Sequence, residues 1–447
     1  MSLKRLFFAA TLLTVAGSAA ALFYAWHSAL PAIDPPARTA FRPDTVTRGA
    51  ALALIGDCRT CHTAPGGRTF AGGLAMPTPF GTIYSTNITP DATTGIGTWS
   101  LEAFTRAMRE GLDRDGRHLY PAFPYDHFTL TTDADLEALY AFLMTRDAVV
   151  AQAPANELPF PINIRLVLAG WKLLFFHPEA YTPDPSRDAQ WNRGRYLVEG
   201  LAHCGACHTP RNLMGAEIRS EAFTGGEAEG WTAFPLGRHS PAPIAWTEAA
   251  LGSYLREGWQ ADHGDALGPM RPVVDNLAEA PADDVAAMAA YIASLGSPAD
   301  HSPAPTPTLP DAAGARPQSA GWQAAVAAPA AATPAGRALF DAACASCHQA
   351  GRALPLGAVD LTLSTSLAAD SPQNLLNIIL QGVPASRGTA GPVMPNFAGA
   401  MDDAALTALV GYLREELAGR PAWPNLPGAI ASARRAALPH SDAGAAK

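Results

Sequence analysis

The chain has 447 residues, with 40 acidic against 31 basic side chains, a formal charge of −9 and 48% hydrophobic residues. That length suits about three domains of ordinary size. A net acidic surface does not suit nucleic acid and favours basic protein partners.

In chain order, the first element is apolar. Lys4 and Arg5 precede Leu6 to Trp26, 21 residues without a charge, long enough to cross a bilayer as a helix. Basic residues ahead of it place the N-terminus in the cytoplasm and the body outside. Two outcomes stay open for residues 1–30. One is a retained anchor with Phe23, Tyr24 and Trp26 at the membrane interface. The other is a signal peptide cleaved among the small residues from Ala16 to Ala21. Under both, the body lies on the periplasmic side of the cytoplasmic membrane.

One short pattern then occurs three times: Cys58-Arg-Thr-Cys61-His62, Cys204-Gly-Ala-Cys207-His208 and Cys344-Ala-Ser-Cys347-His348. Cys-x-x-Cys-His is a covalent haem attachment pattern, with two thiols for the vinyl groups and the histidine for the iron. The three copies use all six cysteines of the chain. A structural zinc module would need a second ligand pair, which does not follow any of the histidines. A thioredoxin-like redox motif would need strand–helix alternation. The pattern therefore predicts three covalently bound haem c groups, held by Cys58, Cys61, Cys204, Cys207, Cys344 and Cys347, with His62, His208 and His348 as proximal ligands.

Periodicity predicts a helix running into each motif and another closing each unit. A glycine beside an arginine precedes each motif: Arg48-Gly49, Arg193-Gly194 and Gly336-Arg337. The closing helices read as Asp133 to Met144, Asp283 to Leu295 and Asp402 to Leu417, each opening on acidic residues that suit a helix N-terminus. Two helices clasping one haem give an all-α fold of three tandem cytochrome c domains behind the N-terminal segment. The domains are 42–148, 188–297 and 334–419.

The connections differ in character. Residues 149–187 include the apolar run Ile162 to Phe176, interrupted by Arg165 and Lys172 and too short to span a bilayer. It reads as a helix on the membrane surface, against a partner subunit, or between the first two domains. Residues 298–333 are rich in Pro and Ala and read as a semi-rigid spacer. Residues 420–447 read as a weakly ordered tail.

A methionine in the loop before the last helix commonly supplies the sixth iron ligand and raises the potential. Met270 lies 62 residues beyond His208 (270 − 208) and Met394 lies 46 beyond His348 (394 − 348), each beside a proline. In the first unit Phe123 stands at the corresponding place, 61 residues beyond His62 (123 − 62), and Phe cannot bind iron. His127 is the preferred substitute, with His118, Met76 and a five-coordinate iron as alternatives. A vacant iron face would suit an enzyme acting on peroxide or a similar small oxidant, which is the competing functional class.

Longer words carry a resemblance. They are Pro79-Phe80-Gly81-Thr82-Ile83-Tyr84-Ser85-Thr86-Asn87-Ile88-Thr89-Pro90-Asp91, Gly95-Ile96-Gly97, Arg106-Ala107-Met108-Arg109-Glu110-Gly111, Trp191-Asn192-Arg193-Gly194 and Cys207-His208-Thr209-Pro210-Arg211-Asn212. Over roughly residues 45 to 418 the chain resembles the membrane-bound triple-haem cytochrome c subunits of periplasmic dehydrogenase complexes. Those subunits serve quinoprotein alcohol dehydrogenases and flavoprotein gluconate or sorbitol dehydrogenases. Related ones serve molybdenum hydroxylases such as nicotinate dehydrogenase. The resemblance implies electron transfer from a catalytic subunit (quinoprotein, flavoprotein, or molybdenum hydroxylase with an iron–sulfur subunit) to ubiquinone, a terminal oxidase or another carrier. No site for substrate oxidation is expected in this chain. The departure at Phe123, within Phe123-Pro124-Tyr125-Asp126-His127-Phe128, resembles the molybdenum-hydroxylase branch.

Overall fold

The structure, a computed structural model, describes residues 7–8, 11–12, 16–17, 22–296, 334–348, 360–384 and 393–437. Its contacts form two compact units: Met1–Ala206 with Leu213–Ala216 and Glu279–Asp284, and Cys207–Asn212 with Glu217–Ala278 and Val285–Lys447. The described residues are mostly helical, with three two-stranded antiparallel ribbons that periodicity does not reveal. Part of the N-terminal apolar run and all of the 298–333 spacer lie outside the described residues. Among the described residues, no helix is long and apolar enough to cross a membrane.

In the first unit, helix α1 (Pro43–Ile55) opens with a proline in its first turn, where the missing N–H costs nothing. It leads into a single helical turn, Cys58–Cys61. A short ribbon follows, β1 (Ala75–Thr78) with β2 (Gly81–Tyr84), in the register Ala75↔Tyr84. Helix α2 (Leu101–Glu110) starts on Ser100, whose hydroxyl accepts from Ala103 N, and stops at left-handed Gly111. Helix α3 (Asp133–Met144) starts on Thr132 in the same way. Its boundaries are those predicted from periodicity.

Helices α1 and α3 cross at Gly49. A Cβ there would lie 1.9 Å from the carbonyl oxygen of Ala138 on α3, so only glycine permits this approach. Beside it, Arg48 reaches Asp135 at 2.6 Å, and that carboxylate is 1% exposed.

Helix α4 (Leu168–Phe175) extends a short 3₁₀ turn, Arg165–Val167. Its buried residues are Leu168, Ala169 and Lys172, while Leu173 and Leu174 point to the outside. The Lys172 ammonium donates to the carbonyls of Glu110 (2.5 Å) and Gly111 (2.7 Å), the last turn of α2, and lies 4.7 Å from the centre of the Tyr125 ring. Helix α5 (Ala189–Arg195) begins on Asp188, whose carboxylate accepts from Trp191 N, and continues as a π-helical turn, Tyr196–Leu201. The wider turn absorbs one residue: the glycine-to-cysteine interval is 9 in the first motif (58 − 49) and 10 in the second (204 − 194).

The second unit contains β3 (Gly226–Ala228) paired with β4 (Trp231–Ala233), α6 (Glu248–Glu257) and the two-residue ribbon β5 (Trp259–Gln260) with β6 (Gly264–Asp265). Then come α7 (Met270–Glu279) and α8 (Ala282–Ser294). Helix α9 (Pro334–Ala343) runs into the third motif. It is followed by α10 (Gln373–Gln381) and by α11 (Asp403–Gly411), which a π-helical turn extends over Tyr412–Leu417. Gly336 repeats the role of Gly49: its Cβ would lie 2.3 Å from Ala408 O on α11. The stretch read as a weakly ordered tail is instead helical over α12 (Leu426–Ala437). Ile430 and Ala433 are fully buried against Phe340, Leu376, Leu406 and Leu413. Arg434 ties the helix to Asp403 and to the carbonyls of Met401 and Ala398. The alanines that suggested disorder are the small side chains that let α12 lie close to this core.

Replacing Gly49 by alanine is expected to lower the unfolding midpoint by several degrees, about 1–3 kcal/mol of overpacking, measured by thermal denaturation. An unchanged midpoint would mean that α1 and α3 do not meet there. Burial lowers the Lys172 pKa from 10.5 to about 7. The unfolded chain therefore holds this proton more tightly than the folded one, and the linked stability rises as pH goes from about 7 to about 10.5. Urea melts across that range should show a steeper rise for the natural chain than for Lys172→Met.

Candidate functional site

The first two Cys-x-x-Cys-His motifs are built alike, bond for bond. The residue before the first cysteine takes a left-handed conformation: Asp57 at φ 53° and His203 at φ 42°. Asp and His are among the side chains that tolerate it best. This turns the chain out of the entering helix and into the motif. Thr63 and Thr209, next after the histidines, accept the amides of Phe70 and Phe223 at 3.2 and 3.1 Å. The backbone carbonyls of His62 and His208 accept from Gly72 N and Gly225 N at 2.8 and 2.9 Å.

The rings are oriented just as regularly. His62 Nδ1 lies 2.6 Å from Thr86 O, and His208 Nδ1 lies 2.6 Å from Phe234 O. A carbonyl only accepts, so Nδ1 carries the proton and Nε2 keeps its lone pair. This is the arrangement that orients a metal-binding imidazole. Each carbonyl sits just beyond the second strand of a ribbon: Thr86 follows β2 and Phe234 follows β4. Burial lowers both histidine pKa values, against a smaller upward push from the carbonyl. Both rings are thus held neutral, as iron ligation requires. None of the six cysteines is tied up in a disulfide. Burial, helped by Asp57 and Cys61, pushes the Cys58 thiol up to about 12, and burial, helped by Cys347, pushes Cys344 up to about 11. A bare Nε2 on a fixed imidazole, beside two reduced thiols, fits covalent haem.

The third motif forms the helical turn Ala345–His348, with His348 N bonded to Cys344 O at 2.9 Å. The residues after it, 349–359, lie outside the described ones.

The two methionines are positioned by glycines. Met270 is half-buried at the first position of α7. Two residues earlier, Gly268 has φ +55°, and a Cβ there would sit 2.5 Å from the Trp231 ring on β4. Met394 forms a two-bond bridge with Val383, both bonds 2.9 Å, and packs on the core of α9–α12. Gly382, at φ +75°, makes room for the Met394 carbonyl, which a Cβ would approach to 2.5 Å.

The first unit's candidates have separate surroundings. Phe123 packs edge-on against Phe128, with centroids 5.2 Å apart. His127 Nδ1 bonds to Glu199 O at 2.7 Å, the same ring-to-carbonyl arrangement as in His62 and His208. Glu199 lies on the π-helical turn before Cys204, and the neighbouring Phe128 stacks on His203. His118 is 3% exposed and donates from Nε2 to Ala25 O at 2.9 Å. Met76 lies on β1, opposite Ile83. Sequence reasoning missed the carbonyl partners Thr86 and Phe234. The recurring Phe-x-Gly at 70–72 and 223–225 was the available signal.

Residues 331–413 match the family model described as cytochrome C oxidase, cbb3-type, subunit III. The fructose dehydrogenase cytochrome subunit of Gluconobacter japonicus is 38% identical over 381 residues, 81% of this chain and 76% of that one. The cytochrome c subunit of the quinone alcohol dehydrogenase of Gluconacetobacter polyoxogenes is 33% identical over 409 residues, 87% of this chain and 82% of that one. The chain belongs to the cytochrome c subunits of dehydrogenase complexes. A nicotinate dehydrogenase subunit of Pseudomonas putida is 44% identical over 417 residues, 92% of this chain. Here the chain spans 33% of that relative's length. Membership of this family implies covalent haem c.

Proposed function

We propose that the chain is a three-haem electron-transfer subunit, anchored at its N-terminus to the periplasmic side of the cytoplasmic membrane. It receives electrons from a separate dehydrogenase subunit and passes them to ubiquinone, a terminal oxidase or another carrier. The observation that carries this reading is the repeated imidazole–carbonyl bond, His62 to Thr86 and His208 to Phe234. It presents a ligating nitrogen twice in the same way, next to two cysteines each time.

Haem c supplies reversible one-electron storage when bound. The residues of this chain set where it is held and how it is tuned. Cys58 and Cys61, Cys204 and Cys207, and Cys344 and Cys347 form the thioether links in this reading. His62, His208 and His348 would ligate the iron, and Met270 and Met394 would supply the further ligand in the second and third domains. Thioether ligation favours the reduced state and sets these two sites at higher potential. In the first domain Phe123 removes the methionine, and His127 takes the place, with its ring oriented by Glu199 O. Bis-imidazole ligation makes that site the low-potential one of the three.

The partner that best fits is a molybdenum hydroxylase of the nicotinate dehydrogenase kind. The Phe123 variant resembles that branch, and 44% identity extends over 92% of the chain.

In a potentiometric titration of the purified chain, Met270→Ala and Met394→Ala should each lower one midpoint. The expected drop is on the order of 100 mV, well inside the ~0.8 V span that axial ligands cover. His127→Ala should convert one low-spin site to high spin and leave the other two unchanged. Midpoints that stay in place in the methionine variants would contradict the ligand assignment.

A further inference from the structure

Helix α4 is inside out. Its one charge, Lys172, is buried at 6% exposure, while Leu173 and Leu174 are 64% and 65% exposed. The preceding turn adds Leu166 and Val167, at 42% and 44%. These residues share one face by helical spacing, from 166 and 167 to 170, 173 and 174. The face continues in sequence-distant residues of the same unit. Trp171 Nε1 donates to Met214 O at 2.9 Å, and Leu213 and Met214 beside it are 98% and 57% exposed. A contiguous apolar surface of this kind marks an interaction site rather than ordinary surface variation.

Its position identifies the occupant. The 3₁₀ turn that opens α4 is tied to the end of the N-terminal apolar run through one residue. Arg165 donates to His118 O at 2.9 Å, and His118 Nε2 donates to Ala25 O at 2.9 Å. Arg106 holds Ser28 O at 2.9 Å, and Leu30 N bonds to Arg114 O at 2.8 Å. The described end of the uncharged run, residues 22–26, therefore lies on the α4 side of the domain, with Phe23, Tyr24 and Trp26 84%, 51% and 66% exposed. Aromatic residues at that point suit the headgroup level of a bilayer, and a short helix with an apolar outer face lies in the same plane.

We infer that the face of α4 formed by Leu166, Val167, Leu173 and Leu174, with Leu213 and Met214, rests in the lipid interface beside the N-terminal anchor. It thereby sets the orientation of the first haem domain against the membrane. Two attachments fix an orientation that one anchor leaves free to swivel. Lys172, turned inward onto the α2 carbonyls, keeps the only charge of α4 out of the lipid.

This rests on the membrane attachment proposed above, and the test separates the two. The full haem-loaded chain carrying Leu174→Cys, or Glu137→Cys at an exposed position of α3 as control, is reconstituted without any catalytic subunit. The vesicles contain phosphatidylethanolamine and phosphatidylglycerol. Reaction with a charged, membrane-impermeant maleimide is timed in vesicles and in denaturant, with the Soret spectrum as the check on folding. Position 174 should react about tenfold more slowly in vesicles than the control, at every protein-to-lipid ratio, because lipid covers it. Equal rates in chains that float with the vesicles would overturn the inference and leave the anchor standing. Protection that vanishes on dilution into excess lipid would assign the face to a second copy of the chain and overturn it as well. Failure to float would overturn both readings.

Discussion

Asp135 is the carboxylate on which the first unit depends. It is 1% exposed and receives Arg48 at 2.6 Å, Arg193 at 3.7 Å and the Tyr196 hydroxyl at 2.6 Å. Arg48 belongs to the helix that enters the first motif, and Arg193 and Tyr196 to the one that enters the second. A buried charge that loses a partner costs about 3–5 kcal/mol, so neither helix is free to move away from the other. Arg193 also holds Asp284 in a two-bond pair, at 2.7 and 3.1 Å. The Arg-Gly dipeptide seen before both motifs thus has two separable roles. Glycine lets a helix approach closely at position 49, and arginine supplies the charge that locks the approach.

A rigid frame of this kind is what an electron carrier needs from its protein. The chemistry belongs to the bound group, and the chain contributes position, ligands and burial. Leu201, fully buried, packs within 3.1 Å of where a Cβ on Gly56 would sit, two residues before Cys58. The approach to the second motif therefore forms part of the wall behind the first. The third motif stands on its own core, in which Met394 is hung from Val383, and Phe397 three residues later bonds to Ile379 O on α10 at 2.9 Å. Its methionine is fixed by a backbone bridge, whereas Met270 is fixed by a helix start.

The helices were legible in the sequence because their apolar spacing and capping residues are local properties. The closing helix α3 matched its predicted limits, and the other two shifted by about one residue or changed to a π turn near their ends. What was not legible depends on contacts between distant residues. Nothing local to Thr86 or Phe234 says that its carbonyl will meet a histidine 24 or 26 positions earlier. The ribbons that deliver them are only three or four residues long, too short for an alternating pattern to stand out. Helix α12 was missed because its alanines and paired arginines read as an unpacked tail; its apolar residues do fall on one face, but whether that face packs is decided by the shape of a distant core. The place of Lys172 is of the same kind: it interrupts an apolar run, and only the sequence-distant α2 carbonyls give it two acceptors inside.

The proposed three-haem reading rests on covalent attachment at each of the three Cys-x-x-Cys-His motifs. Intact-mass spectrometry of the denatured, purified chain measures this most directly. The expected mass exceeds that of the mature polypeptide by three haem increments, with Cys58→Ala together with Cys61→Ala removing one of them. A chain carrying none, or a mass unchanged by the loss of both cysteines, would contradict it.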